Sequence, residues 1–544
     1  MKRRLLLLGL AGLVVVLVMV SGGSAASPPA AVWGKAIEVP GSAALNSGGN
    51  AEAESVSCAA AGDCAAGGYY KDGSAHYQAF VVNETHGRWG TAVEVPGSAT
   101  LNSGGDARVE SVSCVAAGDC AAGGYYDDGS GNYQVFVVSE TYGVWGIAVE
   151  VPGSAALNSG GDARVLSVSC AAAGECVGGG YYKDGSGHYQ AFVVSETHGG
   201  WGAAVEVPGS ATLNSGEDAR VFSVSCAAAG ECAAGGYYKD GSGHYQAFVV
   251  DETHGVWGTA IEVPGSAALN SGGDAAVNSV SCSAAGDCTA GGAVDDSSKI
   301  QAFVASETNG VWGTAVEVPG SAALNSGGEA AVNSVSCSAA GECAAGGSYT
   351  DGSSELQAFV ASETHGVWGT AVEVPGDATL NNGGLAGVNS VSCASAGDCA
   401  AGGFYTDGAS HNQAFVVSET HGVWGTAIEV PGSATLNSGA FASVNSVSCA
   451  APGDCAAGGH YSDGSSHNQA FVVNSTSPCV VPKVIGKTLS AAKKALTAAS
   501  CSVGKIRTVY AKAKRGRVVA QHPKPGTHLK HGGKVALTVS KGKK

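Results

Sequence analysis

A tryptophan returns every 56 residues through most of this chain: Trp33, Trp89, Trp145, Trp201, Trp257, Trp312, Trp368 and Trp424 are its only Trp, and a single interval is 55. A period of this length means one supersecondary unit copied many times, with no copy able to bury both of its faces alone. The copied stretch, as in VFSVSCAAAGECAAGGYYKDGSGHYQAFVVDETHGVWGTAIEVPG, breaks into four short β-prone runs separated by Gly, Asp and Ser. We label them A (SVSC), B (CAAGGYY), C (QAFVV) and D (the segment from Trp). No run has a 3.6-residue period, which excludes helical repeats, and four antiparallel strands in roughly 40 to 56 residues is the size of one β-propeller blade. The small Ala and Gly of A and B suit crowded packing near the axis.

Counting the runs closes the ring. Eight A–B–C units run from the one with Cys58 to the one with Cys449, and there are eight D segments, but the first D, Trp33 to Pro40, precedes every A–B–C unit. The last unit, ending QAFVVN at Gln469 to Asn474, has no D behind it. The N-terminal D is therefore expected to complete the blade at the far end, a clasp that removes exposed strand edges. The expected fold is mainly β: an eight-bladed β-propeller over 33–476, closed by an N-terminal outer strand. An open superhelix of the same units is the alternative, and the offset termini argue against it.

The cysteines keep the same clock. Each unit holds two with five residues between them: Cys58 and Cys64, Cys114 and Cys120, Cys170 and Cys176, Cys226 and Cys232, Cys282 and Cys288, Cys337 and Cys343, Cys393 and Cys399, Cys449 and Cys455. Each pair brackets the A–B turn, where opposed strand residues lie within reach of a sulfur bridge. Zinc needs four ligands, and so two units sharing an ion, whereas an exported chain favours disulfides. We read eight hairpin staples, with no metal and no cofactor.

Export is read from MKRRLLLLGLAGLVVVLVMVSGGSAAS, a basic start, an apolar run and a small-residue exit, the anatomy of a secretory signal peptide cut near Ala25 or Ala26. Residues 1–26 are thus the expected signal and 27–32 a short linker. The apolar run falls short of the ~20 residues that span a bilayer, so no stable membrane insertion is expected after cleavage. No sorting signal closes the chain, and retention outside the cell or at its wall would be non-covalent.

From Cys479 the composition changes: CVVPKVIGKTLSAAKKALTAASCSVGKIRTVYAKAKRGRVVAQHPKPGTHLKHGGKVALTVSKG. This segment resembles the PASTA domain, a module found outside the membrane in penicillin-binding proteins and bacterial serine/threonine kinases. VPKVIGKTLSAAKKAL matches its first strand and helix, VVAQHPKPGT its turn and VALTVSKG its last strand. The resemblance implies a small α+β (βαβββ) domain over 477–544, a bacterial protein and an affinity for peptidoglycan fragments. Cys501 stands where the family has an apolar residue after the helix, and Cys479 precedes the first strand; these two are expected to form a ninth disulfide. One copy is present, and the alternative role for a single module is a spacer or a weak anchor.

Charge divides the chain at the same place. Residues 479–544 hold 16 Lys plus Arg and no acid, while all 45 acids lie in the ring with 9 basic residues, so the ring is near −36 and the tail +16. Wall polymers rich in carboxylate and phosphate attract such a tail and repel such a ring, through a field that decays over about 8 Å. The wall-binding candidates are Lys493, Lys494, Arg507, Lys512, Lys514, Arg515 and Arg517. The alternative is a tail folded back on its own ring. Nucleic acid is not an expected partner, because the tail has one aromatic, Tyr510, and the chain is exported.

On the ring, the D–A and B–C connections should share one face. At one position in strand A the copies read Glu52, Arg108, Arg164, Arg220, Ala276, Ala331, Gly387 and Ser443, so three neighbouring blades present Arg near the channel mouth. Such a cluster suits a carboxylate or phosphate; the competing reading pairs each Arg with Asp106, Asp162 or Asp218 two residues earlier. A sialidase would also need a Tyr/Glu pair and Asp-box signature that these repeats do not show. Asp128, Asp184 and Asp240 precede Gly in hairpin turns, His188 and His244 recur once per blade, and all are carried as candidate ligand contacts beside their plainer roles as turn and loop residues. The Trp set is expected to pack between blades. Near-identical repeats offer copies of everything and a unique catalytic constellation of nothing, which favours a secreted, wall-associated, non-catalytic scaffold binding a glycan or protein over a hydrolase or lyase of envelope glycans.

Overall fold

The computed structural model describes residues 31–497, 499–530 and 532–544; the expected signal segment, 1–26, lies outside the described residues, as do 27–30 of the linker. Eight antiparallel sheets repeat one plan. In blade one, strand A is Ala51–Ala60, B is Asp63–Lys71, C is Tyr77–Thr85, and D comes as two pieces, Arg88–Trp89 and Val93–Glu94, both paired with C. The A strands of blades two to eight begin at Ala107, Ala163, Ala219, Ala275, Ala330, Ala386 and Ala442.

The clasp is formed as expected. Val32–Trp33 and Ile37–Glu38 pair with Asn468–Thr476, strand C of blade eight, in the register Trp33 to Ser475 and Glu38 to Phe471. Between its two pieces each D strand leaves C and bonds the neighbouring blade instead: Ala92 N–H donates to the Pro40 carbonyl at 2.7 Å, and Ala36 N–H reaches Pro431 at 2.8 Å across the closure. The proline of EVPG supplies that carbonyl and has no N–H to leave unpaired.

At the axis the two serines of SVSC join the blades. Ser55 Oγ accepts the Val112 N–H at 3.0 Å and Ser57 Oγ the Cys114 N–H at 2.9 Å; Ser446 and Ser448 do the same for Val56 and Cys58. Strand A would otherwise present an unpaired edge, and the preceding blade satisfies it. The Gly-Gly of strand B makes room for this approach. A Cβ on Gly67 would stand 2.6 Å from Val109 of the next blade, and one on Gly68 would stand 1.9 Å from the Glu52 carbonyl, which a bulge in strand A pushes inward.

The apolar core lies between blades. One cluster joins Val81 and Val95 of blade one to Val109, Phe136 and Trp145 of blade two. The Trp side chains do pack between blades, and the Trp145 indole N–H donates to Asn83 Oδ1 at 2.9 Å. All eight Cys pairs are disulfides with Cα atoms 3.9–4.0 Å apart.

One element was not foreseen. Each D–A connection, read as loop, contains a single helical turn, such as Ser98–Leu101, too short to show a period in sequence. The Asn that follows it ties the loop down: Asn102 Nδ2 donates to the Tyr77 carbonyl and to Gln78 Oε1, both at 2.9 Å.

The tail folds around its own core of Val481, Val484, Leu496, Val535 and Leu537. Its helix is Leu489–Thr497, strand Cys501–Val509 runs parallel to Gly533–Ser540, and Val518–His522 pairs with the latter from its other side. The ninth disulfide joins Cys479 to Cys501. Among the described residues no helix is long and apolar enough to cross a membrane.

Candidate functional site: the mouth of the ring

The D–A loops and B–C turns meet on one face, because the start of strand A lies beside the end of B and the start of C, as in Ala107, Tyr126 and Gln134. The eight copies diverge most here. Blades one to four carry Tyr69, Tyr125, Tyr181 and Tyr237 on B, where blades five to eight have Ala293, Ser348, Phe404 and His460. Tyr77, Tyr133, Tyr189 and Tyr245 likewise open strand C only in blades one to four.

The three arginines interleave with these rings. The Arg108 guanidinium lies 4.3 Å from the Tyr69 ring centre and 4.6 Å from Tyr77, Arg164 lies 4.3 Å from Tyr125, and Arg220 lies 4.5 and 4.4 Å from Tyr181 and Tyr189. Cation–π contact thus links each blade to the one before it in an arc over half the mouth. The Asp pairing is also present: Nε lies 3.1 Å from Asp106 in Arg108 and 3.0 Å from Asp218 in Arg220. Arg164 is looser, 3.9 Å from Asp162, and its Nε is buried without a hydrogen-bond partner among the described residues.

Beside the arc sits an acidic group that sequence reasoning missed. The bulged residue of strand A is Asn in four copies, and each amide donates to the next blade's backbone, as Asn278 does to Val332 at 2.9 Å and Asn445 to Ala53 at 3.3 Å. In blades one and two this residue is Glu54 and Glu110, in blades three and four Leu166 and Phe222. Burial, then the Glu52 and Glu110 charges, push Glu54 up to about 8 against the pull of Arg108. Burial also raises Glu110, with Arg164 and Arg108 opposing. Glu52 Oε2 lies 3.2 Å from His460 Nδ1, and burial lowers the pKa of that imidazole, which stacks on Phe441 at 5.2 Å. Comparing the copies at position 54 carried the signal, since carboxylates replace a recurrent amide there.

The other candidates are committed to local structure. Asp128 Oδ1 accepts the Ser130 and Asn132 N–H groups and its Oδ2 the Asn132 amide; Asp184 and Asp240 each accept two backbone N–H groups and a Gln side chain. These donors outweigh burial and hold all three below the usual carboxylate range. His188 Nε2 lies 3.0 Å from Glu217, and His244 packs on Gly273 of the neighbouring loop.

On the opposite face a second set of carboxylates is sealed between blades. Glu84, Glu140, Glu196, Glu252, Glu307, Glu363 and Glu419 are all buried; Ser139 Oγ donates to Glu196 at 2.6 Å and Asn474 Nδ2 to Glu84. Burial pushes Glu84 and Glu307 up to about 7.

In the tail, Lys493 and Lys494 are exposed on the helix, Arg507 on the edge strand, and Lys512, Lys514 and Arg515 on the loop after it. Arg517, also exposed, donates to the Gly486 carbonyl at 2.8 Å. This segment matches the PASTA domain family over residues 480–541. Residues 480–541 are a PASTA domain. No curated protein matches the chain. Among solved structures it is similar in fold to Sqt1 from Chaetomium thermophilum (11% identity, TM-score 0.43, 82% of this chain and 100% of that one) and to the WD40 propeller domain of Doa1 (12%, 0.37, 81% and 97%). It is also similar to a fucose-specific lectin from Aleuria aurantia (10%, 0.28, 59% and 96%). At these identities and scores the neighbours carry no argument about what the ring binds.

Proposed function

We propose that the chain is a secreted, cell-wall-associated binding protein without catalytic activity. In this reading the PASTA domain holds peptidoglycan or an anionic wall polymer, and the mouth of the ring, with Arg108, Arg164 and Arg220, receives a glycan or a protein. The observation that carries it is the PASTA domain itself, with 16 basic residues against no acid. The basic side chains are exposed and free of acidic neighbours in their own domain, which suits long-range attraction to a polyanion. Co-sedimentation of the full chain with purified peptidoglycan tests it. Replacing Lys493, Lys494, Arg507, Lys512, Lys514 and Arg515 with Gln should lower the bound fraction several-fold, and raising salt should release the wild type. Undiminished, salt-insensitive sedimentation of the variant would refute the assignment.

A second reading, a hydrolase or lyase of envelope glycans, has one observation in its favour. Burial and the neighbouring Glu52 and Glu110 charges push Glu54 up to about 8, and a carboxyl that keeps its proton beside ionised ones can act as an acid. Turnover of wall glycans that disappears in Glu54→Gln would establish it.

A further inference from the structure

The face opposite the mouth carries an asymmetry of its own. The disulfide-held A–B hairpins and the C–D turns enclose cavities at the blade junctions, of about 290, 200 and 210 Å³ at the first three. At the seam, where blade eight meets blade one, the cavity is about 770 Å³, within the range of small-molecule sites. Its walls include the clasp at Gly34 and Lys35, strand C of blade eight at Val473, and the start of strand D of blade one at Arg88.

Charge is what sets this cavity apart. Seven of the ring's nine basic residues, Lys71, Arg108, Arg164, Lys183, Arg220, Lys239 and Lys299, belong to the mouth face, and the remaining two, Lys35 and Arg88, both line the seam cavity. The corresponding residues elsewhere are uncharged, as at Thr91 and Ile147 for Lys35 or Val144 and Gly200 for Arg88. Both cations are exposed, and among the described residues the ion pairs of Lys and Arg are those of Arg108, Arg164 and Arg220 alone. Two carboxylates also line the cavity: Asp454 accepts the Ser477 N–H at 3.0 Å, and Glu84, which burial pushes up to about 7, accepts the Asn474 amide. Trp89 also lines the cavity, with its indole N–H bonded to Asn474 at 3.1 Å.

We propose that the seam cavity binds an anionic sugar of one or two rings, its carboxylate or phosphate between Lys35 and Arg88 and a ring face against Trp89. Two free cations supply charge-assisted donors, and an indole edge or face beside them supplies the apolar contact that a sugar ring takes. Because the walls come from both the clasp and the strand it pairs with, an occupant also ties the closure shut. This site is separate from the mouth and stands or falls independently of it.

The test uses the full chain at pH 6 and low salt, with three probes measured calorimetrically: N-acetylmuramic acid for the carboxylate, N-acetylglucosamine 6-phosphate for the phosphate and N-acetylglucosamine as the neutral sugar. At least one anionic probe should bind ten-fold or more tightly than the neutral one, and which anion wins identifies the source chemistry. Lys35→Gln combined with Arg88→Gln should weaken that binding at least ten-fold, while Lys299→Gln on the other face should leave it unchanged. Amide exchange over residues 32–39 should slow when the probe is added to the wild type and not when it is added to the double variant, a readout that separates loss of binding from loss of fold. Absence of binding by both anions, equal binding of the neutral sugar, or full binding by the double variant each overturns the proposal.

Discussion

Replacing Trp33 with alanine isolates the contribution of the clasp. Trp33 is 6% exposed and packs against Val416, Val430, Ala457 and Val473, and its indole N–H donates to Ser418 at 3.2 Å. Truncating a buried Trp to Ala costs about 3–5 kcal/mol. The clasp differs from other D strands in having no covalent link to the strand C it pairs with. Its remaining hold is short: Gly34 N–H to Asn474, Ala36 N–H to Pro431 and Val39 N–H to Ala470, at 2.8, 2.8 and 2.9 Å. The cost should therefore fall on local opening of the seam, speeding exchange of those three amides by roughly two to four orders of magnitude at about 1.4 kcal/mol per decade. Trp145→Ala removes an equally buried indole from a strand tied into the chain at both ends, and should leave the clasp amides at wild-type protection. Unchanged protection at 34, 36 and 39 in the Trp33 variant, or equal loss in the Trp145 variant, would refute the reasoning.

Two other expectations follow from the same structure. Converting both Cys226 and Cys232 to Ser should lower stability by about 2 kcal/mol in the chain-entropy account of a short loop, read from denaturant melts, while thiol titration of the unreduced wild type in denaturant should find no free cysteine among its 18. Glu84 and Glu307 hold their protons up to about 7 when folded, against 4.5 for the ordinary side chain, so the stability they contribute is complete below pH 4.5 and is lost as pH rises through 7. Melting temperature should fall across that window in the wild type and fall less in the Glu84→Gln, Glu307→Gln variant, the difference reaching up to about 3 kcal/mol per site; a wild type whose melting point rises over the same range would contradict the burial argument.

Much of the ring was legible because its chemistry repeats in register. Trp spacing set the blade count, the misplaced first D segment set the closure, and the Cys pairs set the hairpins. What stayed hidden was which blade each side chain serves. The serines of SVSC read as strand residues, yet Ser55 acts 57 positions away on Val112, a contact that exists only once the blades are stacked. The Arg–Tyr arc was half visible: the Asp partner two residues off could be read along one strand, whereas Tyr69 belongs to the blade before Arg108. Glu52 and His460 are neighbours only through closure, so no local pattern links them. The single helical turns escaped because four residues hold barely one period.

The order of manufacture gives the clasp a further meaning. Its strand is synthesised first and its partner last, and at about 5–20 residues per second the roughly 430 residues between Val39 and Phe471 take some 20–90 s to appear. Throughout that interval the nascent ring is an arc with a raw end on each side, its first blade still lacking the serines that will satisfy Val56 and Cys58. Maturation therefore has a definite finish line, and a chain cut short by even its last copy would be left as a permanently open crescent.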